Sequence, residues 1–191
     1  MIYLPAEAQQ YSESALATSI VGSINGLFST YRDFLKEIPE EAEYSTLKTT
    51  TDVWTWNSGG ISIRVEGSDH GVYSQVNLYI NNVQVADLKD YKDIIKSENK
   101  LYNQDGTLAI DSKTEVNGTT TDGRYLLYSD GGNYYIRSLG STLDPSGYIN
   151  IFQGSNDTGE QVYHCQWTAT GSCSGWVRDP KTGKSFSFPT N

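Results

Sequence analysis

The most reactive side chains in this sequence are two cysteines, Cys165 and Cys173, and two histidines, His70 and His164. The cysteines flank a turn in Tyr163-His164-Cys165-Gln166-Trp167-Thr168-Ala169-Thr170-Gly171-Ser172-Cys173. If the strands pair about Ala169, the two cysteines stand directly opposite. Their Cα atoms are then roughly 4.5–5.5 Å apart, a span that a disulfide bridges. The expectation is a Cys165–Cys173 disulfide and hence an oxidising compartment; the alternative is two reduced thiols packed in a hairpin. Closing so small a loop would stabilise by roughly 2–3 kcal/mol at most.

Gly171-Ser172-Cys173-Ser174-Gly175 has the form of a nucleophile elbow. An elbow needs a strand, a sharp turn and then a helix. Here Trp176-Val177-Arg178-Asp179-Pro180 follows, which continues a strand and turns. His164 and Cys165 are strand neighbours, so they point to opposite faces. His70 sits in the turn Ser68-Asp69-His70-Gly71, and neither histidine has metal-ligand spacing. The acidic turns Asn103-Gln104-Asp105-Gly106 and Asn156-Asp157-Thr158-Gly159-Glu160 offer oxygens but lack the full calcium-loop pattern. Asp, Asn and Gly also serve turns for backbone reasons. No spacing proposes a carboxylate pair for glycoside hydrolysis, and no Gly-rich phosphate loop follows a strand. The sequence therefore predicts no catalytic residue, no metal site, no cofactor and no enzyme.

The aromatics Trp54, Trp56, Tyr73, Tyr79, Tyr125, Tyr134, Tyr135, Trp167 and Trp176 admit two readings. Exposed rings stack on carbohydrate and other apolar ligand surfaces. Strands also use Tyr and Trp for cross-strand packing, which is the favoured reading here.

These residues need elements to position them. Ala17, Ile20, Ile24, Leu27, Phe28, Tyr31, Leu35 and Ile38 recur at spacings of three and four, a helical period. Pro5 suits the first turn and Pro39 ends the run, so the spacing predicts one helix over 5–38, about 50 Å long. Its opposite face carries Ser19, Gly22, Gly26 and Ser29 with no charge between Glu13 and Arg32. That face is either solvated or covered by a second backbone, and both readings stay open.

After an acidic linker over 39–51, residues 52–188 read as strands and tight turns. Asn57-Ser58-Gly59-Gly60, Asn81-Asn82 and Asp130-Gly131-Gly132-Asn133 are hairpin signals, and the alternation over Val72 to Ile80 is clean. Asp90 to Ser97 is expected to be a short helix with Asp90 as cap, and a strand is expected near Leu108 to Ile110. Gly123-Arg124-Tyr125-Leu126, Gly147-Tyr148-Ile149 and Gly175-Trp176-Val177 repeat loosely, at spacings of 24 and 28 residues. The predicted class is α+β. A long amphipathic helix packs in a curved antiparallel sheet or partly closed barrel of about ten strands.

A chain of 191 residues fits a single domain. Its net charge of −9 disfavours nucleic acid and anionic membrane surfaces. Met1 to Gln10 is too short and polar for a signal peptide, which suits a mature form whose export signal was replaced by Met1. No segment has the length and apolarity of a transmembrane span. The sequons at Asn117-Gly118-Thr119 and Asn156-Asp157-Thr158 fall in predicted turns.

The Ala15 to Ile38 helix, Trp54-Thr55-Trp56, Asp122-Gly123-Arg124-Tyr125 and Ser174-Gly175-Trp176-Val177 together resemble a loose class of bacterial envelope proteins of lipoprotein type. The order of elements is also similar to periplasmic lipoprotein carriers, although their specific motifs and second helix are missing. The resemblance implies an extracytoplasmic location: periplasm, outer envelope or secreted. The expected function is non-enzymatic binding of an apolar or amphipathic ligand between sheet and helix, with Ile20, Ile24, Leu27, Phe28, Tyr31 and Leu35 lining the cavity. The alternative is a surface interaction or assembly subunit that uses the Gly/Ser helix face and the Tyr-rich strands.

Overall fold

The computed structural model describes residues 1–36, 38–47 and 50–189. The chain begins with a short helix α1 (Ala6–Gln9), a 3-10 turn (Ser12–Ser14) and the helix α2 (Ala15–Lys36). The expected single helix is thus interrupted, and α2 is about 33 Å long at the standard rise. The interruption has a tertiary cause. Tyr11 is extended (φ −84°, ψ 132°) and its ring stacks on Phe188 at 5.2 Å, while the Ser14 hydroxyl meets the Tyr163 hydroxyl at 3.0 Å. These anchors outweigh local helix propensity.

Thirteen strands follow: β1 (Glu43–Leu47), β2 (Thr51–Ser58), β3 (Ile61–Asp69), β4 (Tyr73–Ile80), β5 (Val83–Tyr91), β6 (Lys96–Tyr102) and β7 (Leu108–Asn117), then β8 (Thr120–Leu127), β9 (Tyr134–Ser141), β10 (Gly147–Gln153), β11 (Glu160–Trp167), β12 (Cys173–Arg178) and β13 (Ser185–Phe188). Their order in the antiparallel sheet is their order in the chain, so the order has two free ends, β1 and β13, and no barrel closes. Helix first and meander second is the expected α+β arrangement, but the strand number exceeds the expected ten for two reasons. The linker over 39–51 contains β1, which pairs with β2 from Glu43↔Thr55 to Leu47↔Thr51. The helix expected at Asp90 to Ser97 is instead a hairpin corner, with Asp90 paired to Ser74 on one side and Ser97 on the other. Cross-strand pairing overrides a weak capping signal there.

The hairpin signals fold as read. Gly59 and Gly60 have φ of 57° and 82°, and Asn81 and Asn82 have φ of 49° and 65°. Positive φ at both central positions is the type I′ geometry that matches strand twist.

Backbone contacts divide the chain into two compact units. The first is Met1–Asn25 with Thr114–Asn191, and the second is Gly26–Lys113. In the first unit, β8 to β12 present one face inward. Tyr125, Ile136, Ile149, Ile151, Tyr163, Cys165, Trp167 and Cys173 are buried on it, and Ala17, Ile20, Val21 and Ile24 of α2 are buried too. In the second unit the core is Ile63, Val65, Leu78, Val85, Ala86, Leu101 and Ile110, with Tyr31 donating its hydroxyl proton to the Tyr102 carbonyl at 2.6 Å. No helix among the described residues is long and apolar enough to cross a membrane.

Candidate functional site

The loose Gly-aromatic repeat acquires a physical meaning in the first unit. A Cβ on Gly123 would sit 2.9 Å from the Tyr125 ring. One on Gly147 would sit 2.8 Å from the Trp167 ring and run into the Leu139 carbonyl. One on Gly175 would sit 2.6 Å from the Phe188 ring and run into the His164 carbonyl. Each glycine is therefore a floor on which an aromatic ring lies, and the strands can carry large rings only because these positions are bare.

This arrangement leaves a groove at one end of the first unit's core. Its volume is about 490 Å³, and it is lined by Met1 and Tyr3 of the N-terminal segment, by Tyr125 and Trp167, and by the small residues Gly123, Ser138 and Gly140. Thr114, Thr121, Ser141, Pro145 and Ser146 complete it, so the lining carries no charged side chain. Tyr3 meets Trp167 edge-to-face at 5.4 Å, and Trp167 Nε1 donates to the Pro145 carbonyl at 2.8 Å, which fixes the ring. The N-terminal segment is itself fixed by a clamp that no sequence signal announced. The Ile2 amide donates to Asn25 Oδ1 and Asn25 Nδ2 donates to the Ile2 carbonyl, both at 2.8 Å. A second cavity of about 290 Å³ lies beside that clamp and is lined by Ile2, Leu4, Thr18, Val21 and Gly22 among others.

The outward face of the same sheet is different. Register places Arg124, Arg137, Asn150, His164 and Trp176 opposite one another across five successive strands. Asp122 Oδ2 accepts from Arg124 Nη2 at 2.8 Å and from Arg137 Nη2 at 3.3 Å. Burial alone would raise the Asp122 carboxyl, but the two guanidinium groups outweigh it and hold the group below the usual carboxylate range. Asn150 Oδ1 accepts from Gln161 Nε2 at 3.0 Å and lies 2.7 Å from His164 Nδ1. With the amide so oriented, Nδ1 carries the His164 proton and Nε2 is left as an acceptor. Burial lowers the His164 pKa, which keeps the ring neutral. The Tyr148, His164 and Trp176 rings run side by side, with centroids 6.3 and 6.4 Å apart, and Tyr135 lies 6.1 Å from Phe152.

The cysteines do not form the expected disulfide; both are free and buried. The hairpin pivots about Thr170, not Ala169, because Gly171 takes a φ of 88° in a loop closed by the Thr168 amide on the Ser172 carbonyl at 3.0 Å. Cys165 consequently faces Gly175, and Cys173 faces Trp167. Burial is the main cause that pushes the Cys165 thiol up to about 12, and it raises Cys173 as well, so neither is an activated nucleophile.

Of the six residues expected to line a ligand cavity, Ile20, Ile24 and Tyr31 are buried and Leu27, Phe28 and Leu35 are half-buried. The unit boundary falls between them: Ile20 and Ile24 belong to the first unit, the other four to the second. The two first-unit cavities described above are lined by other residues. The Gly22 and Gly26 face of α2 is exposed, with open space where each Cβ would stand. The nine aromatics also divide. Tyr125 and Trp167 are buried packing residues, whereas Tyr135 and Trp176 are half-exposed on the outward face. Strand parity was the signal that separates them, since Trp167 and Cys165 share one face and His164 the other.

No family model matches the chain, and no curated protein matches it.

Proposed function

We propose that the protein is a non-enzymatic, extracytoplasmic binding protein whose first unit takes a neutral amphipathic ligand in the groove beneath Tyr3. The observation that carries the reading is the lining: three aromatic rings around small and hydroxylic residues, about 490 Å³, with no charged side chain. Ligand sites of this size are mainly apolar with a few placed polar groups. No lining side chain carries a charge to compensate the desolvation of an ionised head, which favours a neutral ligand. The compartment rests on the resemblance to envelope proteins and not on the cysteines, which are free.

Gly140 provides a clean test. It lines the groove, and a Cβ there meets only the Ser146 carbonyl, at an ordinary 3.9 Å. Gly140→Leu should therefore fill the groove without disturbing the backbone. Equilibrium dialysis of the intact protein with 1-decanol is expected to show binding that falls at least tenfold in Gly140→Leu, with an unchanged melting temperature. Absence of binding to the wild-type protein, or equal binding to the variant, would overturn the reading.

A further inference from the structure

The geometry points to a second binding site on the first unit, independent of the groove: the outward face of β8 to β12 is a platform for a neutral oligosaccharide. The row Arg124, Arg137, Asn150, His164 and Trp176 crosses five strands, and at a strand spacing of about 4.8 Å it is about 19 Å long. A chain of several sugar rings covers that length, and a monosaccharide does not.

The chemistry along the row suits sugars. Sugar rings present apolar C–H faces and an edge of hydroxyls that both donate and accept. The half-exposed rings of Tyr148 and Trp176 offer stacking surfaces. Arg124 and Arg137 offer planar donors, the Asn150 amide offers donors, and His164 Nε2 offers an acceptor. The Tyr135 and Tyr148 hydroxyls and Trp176 Nε1 have no hydrogen-bond partner among the described residues, so this capacity is open on the surface. Two tyrosines of the second unit, Tyr79 and Tyr91, are not open in this way. Tyr79 lies under Arg64 at 4.1 Å and donates to Glu66 at 3.3 Å, and Tyr91 lies under Lys96 at 4.0 Å and donates to Glu98 at 3.0 Å.

Charge decides which saccharide. The chain carries −9 overall, yet on this face two arginines stand against Asp122, with Glu115 acting on Arg124, and His164 is neutral. A balanced patch attracts neither a polyanion nor a polycation, and the surrounding negative field disfavours an acidic glycan.

The test is isothermal titration of the intact protein with cellohexaose, xylohexaose and mannohexaose, beside a galacturonic acid hexamer. At least one neutral hexasaccharide should bind. Trp176→Ala should weaken it tenfold or more without lowering the melting temperature, and Trp176→Phe should restore most of the loss. Gly140→Leu should leave it unchanged, which separates this platform from the groove. The proposal is overturned if no neutral hexasaccharide binds, if Trp176→Ala binds as well as wild type, or if the uronic acid hexamer binds best.

Discussion

The two units are built from the same antiparallel strands but differ in where cations meet rings and where rings lie on bare glycines. In the second unit four cations close on carboxylates: Arg64 with Glu66, Lys89 with Asp87, Lys92 with Asp69, Lys96 with Glu98. Every cation–π contact among the described residues lies there as well. In the first unit, glycines make room for rings and the end groove has no charged side chain. A face whose groups satisfy each other has little to offer a ligand. On the function proposed above, both ligand sites lie in the first unit.

The sharpest way to break this contrast is all-or-none. Alkylation of the native protein, without reductant, should modify neither Cys165 nor Cys173, and after unfolding it should modify both. A protein that resists alkylation even when unfolded would restore the disulfide and remove the free-thiol core. Next in size, Gly147→Ala and Gly175→Ala should each cost about 3 kcal/mol in urea unfolding, because the new Cβ meets a carbonyl as well as a ring. A cost below about 0.5 kcal/mol would show that the rings do not rest on these glycines.

Smaller effects refine the comparison. Tyr163→Phe should cost about 1–2 kcal/mol, since it leaves the buried Ser14 hydroxyl without its partner. Arg64→Met in the second unit should cost about 1 kcal/mol through the lost contact with Tyr79 and leave ligand binding unchanged. The smallest effects are pH-linked. The His164 pKa is depressed, so the unfolded chain takes up its proton first and stability falls as pH drops below about 6.5. The Asp122 pKa is also depressed, so its contribution is full above about pH 4 and is lost as pH falls through the folded value. His164→Gln and Asp122→Asn should each flatten its own part of the acid limb in urea titrations; unflattened limbs would contradict these assignments.

Much of the fold was legible in the sequence because its signals are local. The three- and four-residue spacing from Ala17 to Leu35 needs a helix, and Asn81-Asn82 needs a turn with positive φ. What was missed depends on partners distant in the chain. Phe188 and Tyr163 pull Tyr11 and Ser14 out of the helix, and β4 draws Asp90 into a strand. The disulfide expectation failed by two residues of register, because Gly171 sets the pivot of its hairpin. The site was legible only in part. Gly123, Gly147 and Gly175 were visible as a repeat, but the rings that cover them come partly from other strands. The row from Arg124 to Trp176 exists only once five registers are fixed.

The most direct test of the central contrast is amide hydrogen exchange on the intact protein, with and without 1-decanol and, separately, cellohexaose. The account predicts added protection in the Met1 to Leu4 segment and β8 to β10 with decanol, and across β8 to β12 with the hexasaccharide. In both cases β2 to β6 should remain unchanged. Protection centred on β2 to β6, or no change with either probe, would contradict the assignment of binding to the first unit.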